Sequence, residues 1–277
     1  MNRNEILIFG KGYLGSRLAE EWKCNITDKR INSLQDAQEE IEKYKPGIII
    51  NCIGHTGINN VDDCEINKDK TLNANSFVPI ILAEIALRNK IKLAHISSGC
   101  IYKFNYENQE PINENLVPDS FDLFYSRSKI YSEKPLEALS KKYDILIIRI
   151  RIPLDNRSDK RNILNKLIKY KKIIDLPNSV TYIPDLINAL EHLINVNARG
   201  IYNVVNKGGL RYPLLLNIYK KYVPEFKYDI ISLKELNLSR TNMILSVKKL
   251  EESGFSVRHI NEVLEESVLG FLKNNDS

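Results

Sequence analysis

At about 150 residues per domain, a chain of 277 residues makes one large α/β body with room for a smaller lobe. Hydrophobic residues make up 43% and charged residues 27%, while 12 Gly and 10 Pro are too few for a collagen-like or low-complexity chain. The net charge of +5 is spread along the whole sequence, which argues against a nucleic-acid binder and suits an anionic small ligand. No window approaches about 18 uninterrupted apolar residues, so no membrane span is expected. The opening run MNRNEILIFG is too short for a signal peptide and lacks a small-residue cleavage site. Cys24, Cys52, Cys64 and Cys100 form no CxxC pair and read as the reduced thiols of a cytoplasmic protein. The four His residues are scattered without zinc spacing, so no metal is expected.

Short apolar runs alternate with helical patterns along the chain. Residues 5–9 predict a strand ending at Gly10, followed by Leu14, Leu18 and Trp22 at helical spacing. Cys24–Thr27 predicts a short second strand, and residues 33–44 an amphipathic helix stopped by Pro46. The continuous run at 48–53 is how a strand buried on both faces reads. A helix is expected over 76–89, with Phe77, Ile81 and Ile85 in register, then a strand at 91–97. Residues 103–122 are polar and read as a loop. A helix then carries FYSRSKIYSEKPLEAL despite Pro135, and a strand follows at 145–151. This order predicts a Rossmann-type, doubly wound parallel sheet with right-handed crossovers. After Pro153 the alternation loosens: a helix over 162–172, a returning strand at 201–205 and a closing helix at 260–272. The expected division is a dinucleotide-binding domain of 1–152 plus 179–205, and a discontinuous C-terminal substrate lobe of 153–178 plus 206–277.

Three motifs carry chemistry. Gly10-Lys11-Gly12-Tyr13-Leu14-Gly15 is a GxGxxG between strand and helix. Its glycines permit a tight turn, close approach of a pyrophosphate and helix–strand packing, and the helix N-terminus supplies N–H donors. At the end of strand two, Asp28 could accept from a ribose 2′-hydroxyl, whereas Lys29 and Arg30 could pair with a 2′-phosphate. The balance leans to NADPH, with NADH the alternative and a solvated charged turn the bland one. Tyr125 and Lys129 form a YxxxK that shares one helix face, where the ammonium would lower the phenol's pKa. Ser98 and Cys100 follow the 91–97 strand, at the carboxyl edge where parallel sheets bind ligands. They would face one site if extended geometry persisted through Gly99. The hydroxyl could then bind a carbonyl oxygen and the thiol exchange protons on the adjacent carbon, although a free Cys is more often a small buried hydrophobe.

Together these residues resemble the extended short-chain dehydrogenase/reductases. Within that family the chain is similar to the branch of dTDP-4-dehydrorhamnose reductases and nucleotide-rhamnose synthase/epimerase-reductases. The likeness runs nearly the whole length, through GKGYLG, NCIGHTG, NVDDCE, SSGCIY, FYSRSK, RIRIP, RNILNKLIKY, LPNSVTY and RGIYNVVN. It implies that Ser98, Tyr125 and Lys129 are the reductase triad. It implies that Cys100 and Lys166 are the pair kept by epimerising members, and that Asn75 is the cofactor-side Asn. For Lys166 the bland alternatives are a solvated basic helix face with Lys169, Lys171 and Lys172, or simple contact with a substrate pyrophosphate. His55 and His95 read as structural. The implied activity is 3,5-epimerisation and 4-reduction of a UDP-4-keto-6-deoxy sugar to UDP-rhamnose with NADPH, in a homodimer. The alternatives are a monofunctional 4-keto-rhamnose reductase and a non-catalytic NADP-binding subunit. The middle glycine of GKGYLG is shifted by one from the GKTGxxG of close relatives.

Overall fold

The structure is a computed structural model that describes residues 2–58, 60–103, 110–232, 234–235 and 242–274. Contacts between Cα atoms divide it into two compact units. The first comprises Met1–Tyr102, Val117–Arg149 and Leu193–Tyr202; the second comprises Lys103–Leu116, Ile150–His192 and Asn203–Ser277. The stretch 179–192, expected with the dinucleotide-binding part, thus clusters with the second unit.

In chain order the first unit opens with β1 (Ile6–Phe9), α1 (Tyr13–Trp22), β2 (Asn25–Thr27), α2 (Leu34–Tyr44) and β3 (Ile48–Asn51). It continues with α3 (Lys68–Leu72), α4 (Val78–Asn89), β4 (Lys92–Ser98), α5 (Phe124–Ser140) and β5 (Ile145–Ile150). The second unit carries β6 (Pro153–Leu154), α6 (Ile163–Leu167), β7 (Lys172–Ile174), β8 (Thr181–Tyr182) and most of α7 (Ile183–Asn195). After β9 (Gly200–Asn203), which adds to the first unit's sheet, come α8 (Tyr212–Tyr222), β10 (Asp229–Ile231), α9 (Lys248–Glu252) and α10 (Ile260–Lys273).

The main sheet has the order β2-β1-β3-β4-β5-β9. β1 pairs in parallel with β2 and β3, and β3 in parallel with β4. Its inner strands are almost wholly buried, and β1 is apolar throughout, as a sheet covered on both faces requires. Leu7, Phe9, Ile49, Leu93 and Ile147 join Ala37 and Ile41 of α2, Leu82 and Ala86 of α4, and Leu136 of α5 in one core. Truncating one of these Leu or Ile side chains to Ala would cost ~2–5 kcal/mol. Along β4 the face that begins with Leu93 continues, two residues at a time, into His95 and Ser97. The core therefore turns polar toward the carboxyl edge of the sheet.

α2 starts at a capping box, with Ser33 and Asp36 bonding each other's backbone, and ends one residue before Lys45 in the left-handed region and Pro46. Pro135 lies inside α5. The carbonyl it leaves without an N–H partner belongs to Tyr131, a residue that is 49% exposed, so water can satisfy it.

Several local expectations are corrected. β3 stops at Asn51, two residues early, because Cys52 and Ile53 turn toward the Gly10 loop; a Cβ at Gly10 would lie 2.9 Å from the Ile53 nitrogen. The helix over 76–89 is preceded by a π-helical turn, Asn73–Phe77, which rephases it. Its buried face is Val78, Leu82, Ala83, Ile85 and Ala86, and Phe77 is 57% exposed instead of in register with the core. The helix over 162–172 ends at Leu167, and Lys172–Ile174 is a strand. Ile173 and Ile174 find a parallel ladder with Ile230 and Ile231 that local periodicity cannot reveal. Of the loop over 103–122, residues 104–109 lie outside the described residues.

The second unit has its own core, which includes Leu154, Leu164, Leu167, Tyr182, Leu215, Leu216, Val263, Val268 and Phe271. Two-stranded pairings β6–β8 and β7–β10 frame it. Arg258 bridges Asp185 and Glu266 beside it.

Candidate active site

The glycine loop is the first element of the site. Gly10 sits at φ +103°, a conformation L side chains rarely adopt, and a Cβ at Gly15 would lie 2.0 Å from the Gly10 carbonyl oxygen. The side of Gly12 is open, with nothing within 4 Å of an added Cβ. Gly12 is the N-cap of α1, with Tyr13 and Leu14 in its first turn, so backbone N–H groups meet an open face at the positive end of the helix dipole.

A cleft of about 590 Å³ runs beside this loop. It is lined by Gly10, Lys11, Asp28, Lys29 and Arg30, and by Asp69, Lys70 and Asn73 from the segment before α4. Asp28 and Arg30 are exposed there, whereas the Lys29 ammonium is paired with Glu39 of α2. Of the two cations expected at the end of β2, Arg30 is therefore the one outside that pair. Lys70 and Asn73 were not among the sequence candidates, because the fold alone brings 69–73 to the rim. These groups fit a dinucleotide: a donor-rich loop for a pyrophosphate, and carboxylate and guanidinium at the ribose end.

Asn75 lies on the π turn and is fully buried. Its Oδ1 accepts the His55 N–H at 2.8 Å, and its Nδ2 donates to the His55 carbonyl at 2.9 Å and to Ser128 Oγ at 3.0 Å. Ser76 Oγ donates to the Ser128 carbonyl at 2.7 Å. Asn75 therefore ties the loop after β3 to α5, so its amide shapes the cleft through the backbone. A Cβ at Gly54 would lie 3.6 Å from Lys129 Nζ, which puts that loop against the lysine.

Tyr125 and Lys129 stand one turn apart on α5 and are 6% and 4% exposed. Lys129 Nζ donates to the Ile96 carbonyl at 3.4 Å. Burial lowers its pKa to about 8, against the raising influence of Glu133 and Cys52. Two of its titratable neighbours are held neutral. Burial pushes the Cys52 thiol up to about 12 and holds His95 well below its usual value. Asn51 Oδ1 accepts the Ile53 N–H, so its amide nitrogen faces His95 Nδ1 at 3.1 Å and His95 carries its proton on Nε2.

This makes a pH prediction. Unfolded lysine titrates near pH 10.4. Between pH 8 and that value the native state holds fewer protons than the unfolded one, so raising the pH gains stability while the ammonium is lost. Reduction of a ketone by this site is expected to decline as pH rises through about 8 while the fold becomes no less stable. Lys129→Arg should carry the rate plateau to higher pH. A wild-type pH–rate profile with no alkaline limb would contradict the assignment.

β4 ends at Ser98, and the chain turns at 99–102. The extended geometry that would have placed Ser98 and Cys100 on one side of a strand does not persist through Gly99. A side-chain turn replaces it: Cys100 N–H donates to Ser98 Oγ at 3.1 Å. This bond uses an acceptor lone pair of Ser98 and leaves its O–H available to a ligand. The Cys100 carbonyl accepts from Ser126 Oγ of α5 at 2.6 Å. Cys100 is thus held by its backbone between Ser98 and the helix of Tyr125 and Lys129, and its side is half-buried. Ser126 was not among the sequence candidates; its place beside Tyr125 is the only local signal. Lys166 lies in the second unit, half-buried on α6. His55 meets Thr71 and His95 meets Asn51, both inside the fold. Among the described residues no cluster of His, Cys, Asp and Glu could hold a metal, and no helix is long and apolar enough to cross a membrane.

A Rossmann-type sheet, a glycine loop at its first crossover, and the helix of Tyr125 and Lys129 bonded to the end of β4 through Lys129–Ile96 and Ser126–Cys100 are the architecture of an enzyme of the extended short-chain dehydrogenase/reductase class. Within it, the chain belongs to the RmlD substrate binding domain family, whose model matches residues 4–209. A bifunctional dTDP-4-dehydrorhamnose 3,5-epimerase/dTDP-4-dehydrorhamnose reductase of Arabidopsis thaliana is 30% identical over 277 residues, covering 93% of this chain and 90% of that protein. A trifunctional UDP-glucose 4,6-dehydratase/UDP-4-keto-6-deoxy-D-glucose 3,5-epimerase/UDP-4-keto-L-rhamnose-reductase of the same plant is 29% identical across 94% of this chain. The chain spans only 41% of that relative's length. Among solved structures, the L780 UDP-rhamnose synthase of Acanthamoeba polyphaga mimivirus has the same fold, with TM-score 0.88, 24% identity and coverage of 96% and 99%. So does a dTDP-4-dehydrorhamnose reductase of Bacillus anthracis in complex with NADP, with TM-score 0.79, 22% identity and coverage of 97% and 98%.

Proposed function

We propose that the chain epimerises UDP-4-keto-6-deoxy-glucose at C3 and C5 and reduces it at C4, giving UDP-rhamnose with NADPH. The observation that carries this reading is the double tie of the Cys100 backbone, through its N–H to Ser98 and its carbonyl to Ser126, which fixes residue 100 between Ser98 and the helix of Tyr125 and Lys129. The bifunctional Arabidopsis relative, whose length the chain matches almost fully, supports the same reading.

The ketone oxygen receives hydrogen bonds from Ser98 and Tyr125. That hold acidifies the hydrogens on C3 and C5, because the electrons left when a C–H bond breaks move onto an oxygen already met by two donors. Cys100 and Lys166, the second group implied by the family likeness, exchange these protons: one group takes a proton from carbon and the other returns one to the opposite face. Oxygen then regains its carbonyl bond, and no net oxidation occurs. Bound NADPH supplies a hydride to C4. Tyr125 gives its phenol proton to the developing alkoxide, and the Lys129 ammonium holds the phenol's pKa down and orients the ribose. One carbonyl clamp serves both stages, since enolate and alkoxide place negative charge on the same oxygen.

Arg30 is the group expected to read a 2′-phosphate. Arg30→Ala should raise the KM for NADPH about tenfold or more, the scale of one charge-assisted contact, while NADH is little affected. Steady-state kinetics with both cofactors checks this, and equal losses for the two would remove Arg30 from that role.

The reading as a whole is tested by mixing the pure protein with NADPH and UDP-4-keto-6-deoxy-glucose and following absorbance at the nicotinamide band. Oxidation without any added epimerase is the expected result. Oxidation only when a separate 3,5-epimerase is present would reduce the function to that of a 4-keto-rhamnose reductase.

A further inference from the structure

Behind the site lies a buried charge pair that the reaction itself does not use. Glu133 of α5 and Arg149 of β5 are 2% and 1% exposed and form an ion pair in the core of the first unit. The other carboxylate oxygen of Glu133 accepts from Ser97 Oγ at 2.7 Å. The guanidinium also donates, through Nη1, to the hydroxyl of Tyr102, which is 1% exposed. Four side chains from α5, β5, the end of β4 and the turn after it thus share one network.

Three of the four stand close along the chain to site residues. Glu133 lies one helical turn beyond Lys129, and the i, i+4 spacing puts the two on one face. Ser97 precedes Ser98. Tyr102 closes the turn that carries Cys100. A buried ion pair is a poor way to gain stability, since desolvation cancels much of the attraction, but it fixes orientation when every lone pair and donor is committed. Both Glu133 oxygens are committed here.

We propose that the Glu133–Arg149 pair, with Ser97 and Tyr102 bonded to it, is a strut that positions the Cys100 turn against the helix of Tyr125 and Lys129. It makes Tyr102 a positioning residue for proton exchange. The strut acts on the turn through the Tyr102 hydroxyl and on α5 through Glu133, so cutting the Tyr102 arm loosens the turn that carries Cys100 and leaves Tyr125 and Lys129 on α5 in place. The inference rests on the reading of Cys100 as a proton-exchanging group.

The test is Tyr102→Phe, which keeps the ring and its packing and removes only the hydroxyl. Two measurements separate the strut from the function it serves. In the protein without ligand, hydrogen exchange followed by mass spectrometry should show residues 98–102 exchanging about tenfold faster than wild type, with α5 unchanged. This reports the strut whatever the substrate. With NADPH and keto-sugar, solvent deuterium incorporation at C3 and C5 should fall about tenfold or more. The kcat and KM for reducing the already epimerised ketone should stay within about twofold. A purely structural defect would lower both activities together. Unchanged hydrogen exchange in the turn overturns the strut. Faster exchange there with unaltered deuterium incorporation overturns the positioning role. If wild type incorporates no deuterium at all, the epimerase reading fails, and the hydrogen-exchange result still decides the strut. Should Tyr102→Phe fold poorly, Ser97→Ala, which removes the hydroxyl that Glu133 accepts from, gives the comparison: faster exchange of the same turn supports the inference, and an unaltered turn counts against it.

Discussion

Tyr125→Phe is expected to abolish ketone reduction while leaving the protein folded. The change removes one oxygen from a side chain that is 6% exposed on a helix whose packing is otherwise kept. General acid catalysis contributes roughly 10²–10⁴-fold, which corresponds to about 3–5 kcal/mol of transition-state stabilisation. Reduction of the epimerised ketone by NADPH is the measurement. The loss should appear in kcat, because the proton moves in the transition state, with a small change in KM. Deuterium exchange at C3 and C5 should weaken as well but survive in part, since Ser98 still donates to the ketone oxygen. A variant with near wild-type kcat would place the acid elsewhere.

Cys100→Ser separates the two stages. A serine hydroxyl is almost isosteric with the thiol, and the backbone bonds to Ser98 and Ser126 involve no side-chain atom of residue 100. Its far weaker acidity makes it a poor proton-exchanging group at neutral pH. Exchange at C3 and C5 is expected to drop by at least about 10²-fold, the lower end of what general acid–base catalysis supplies. Reduction of the epimerised ketone should remain within a few-fold of wild type. Wild-type exchange in Cys100→Ser would end the epimerase assignment and leave a reductase.

The parts of this site that were legible in the sequence are those built by local pattern. Gly10, Gly12 and Gly15 follow an apolar strand directly; Gly10 and Gly15 meet a local steric requirement, and Gly12 keeps the open side. Tyr125 and Lys129 meet because i and i+4 meet on any helix. What stayed hidden depends on partners far along the chain. The π turn over Asn73–Phe77 is locked by Asn75 and Ser76 against Ser128, more than 50 residues on. No periodicity announces it, so Phe77 read as core. The helix expected over 162–172 stops at Leu167, and Lys172, read as its last residue, opens a strand whose ladder partner lies more than 50 residues later. The Glu133–Arg149 pair had faint signals. Glu133 continues the Tyr125–Lys129 spacing by one more turn, and Arg149 stands in an otherwise apolar strand, where a charge is unexpected without a partner.

The account stands on a single gripped ketone that meets the thiol first and the hydride second, and one tube tests it. UDP-4-keto-6-deoxy-glucose, NADPH and the protein in deuterated water, read by proton NMR, report exchange, configuration and reduction together. The expected product is UDP-rhamnose with deuterium at both C3 and C5. A 4-hydroxy product that keeps protium at those carbons and the starting configuration would contradict it.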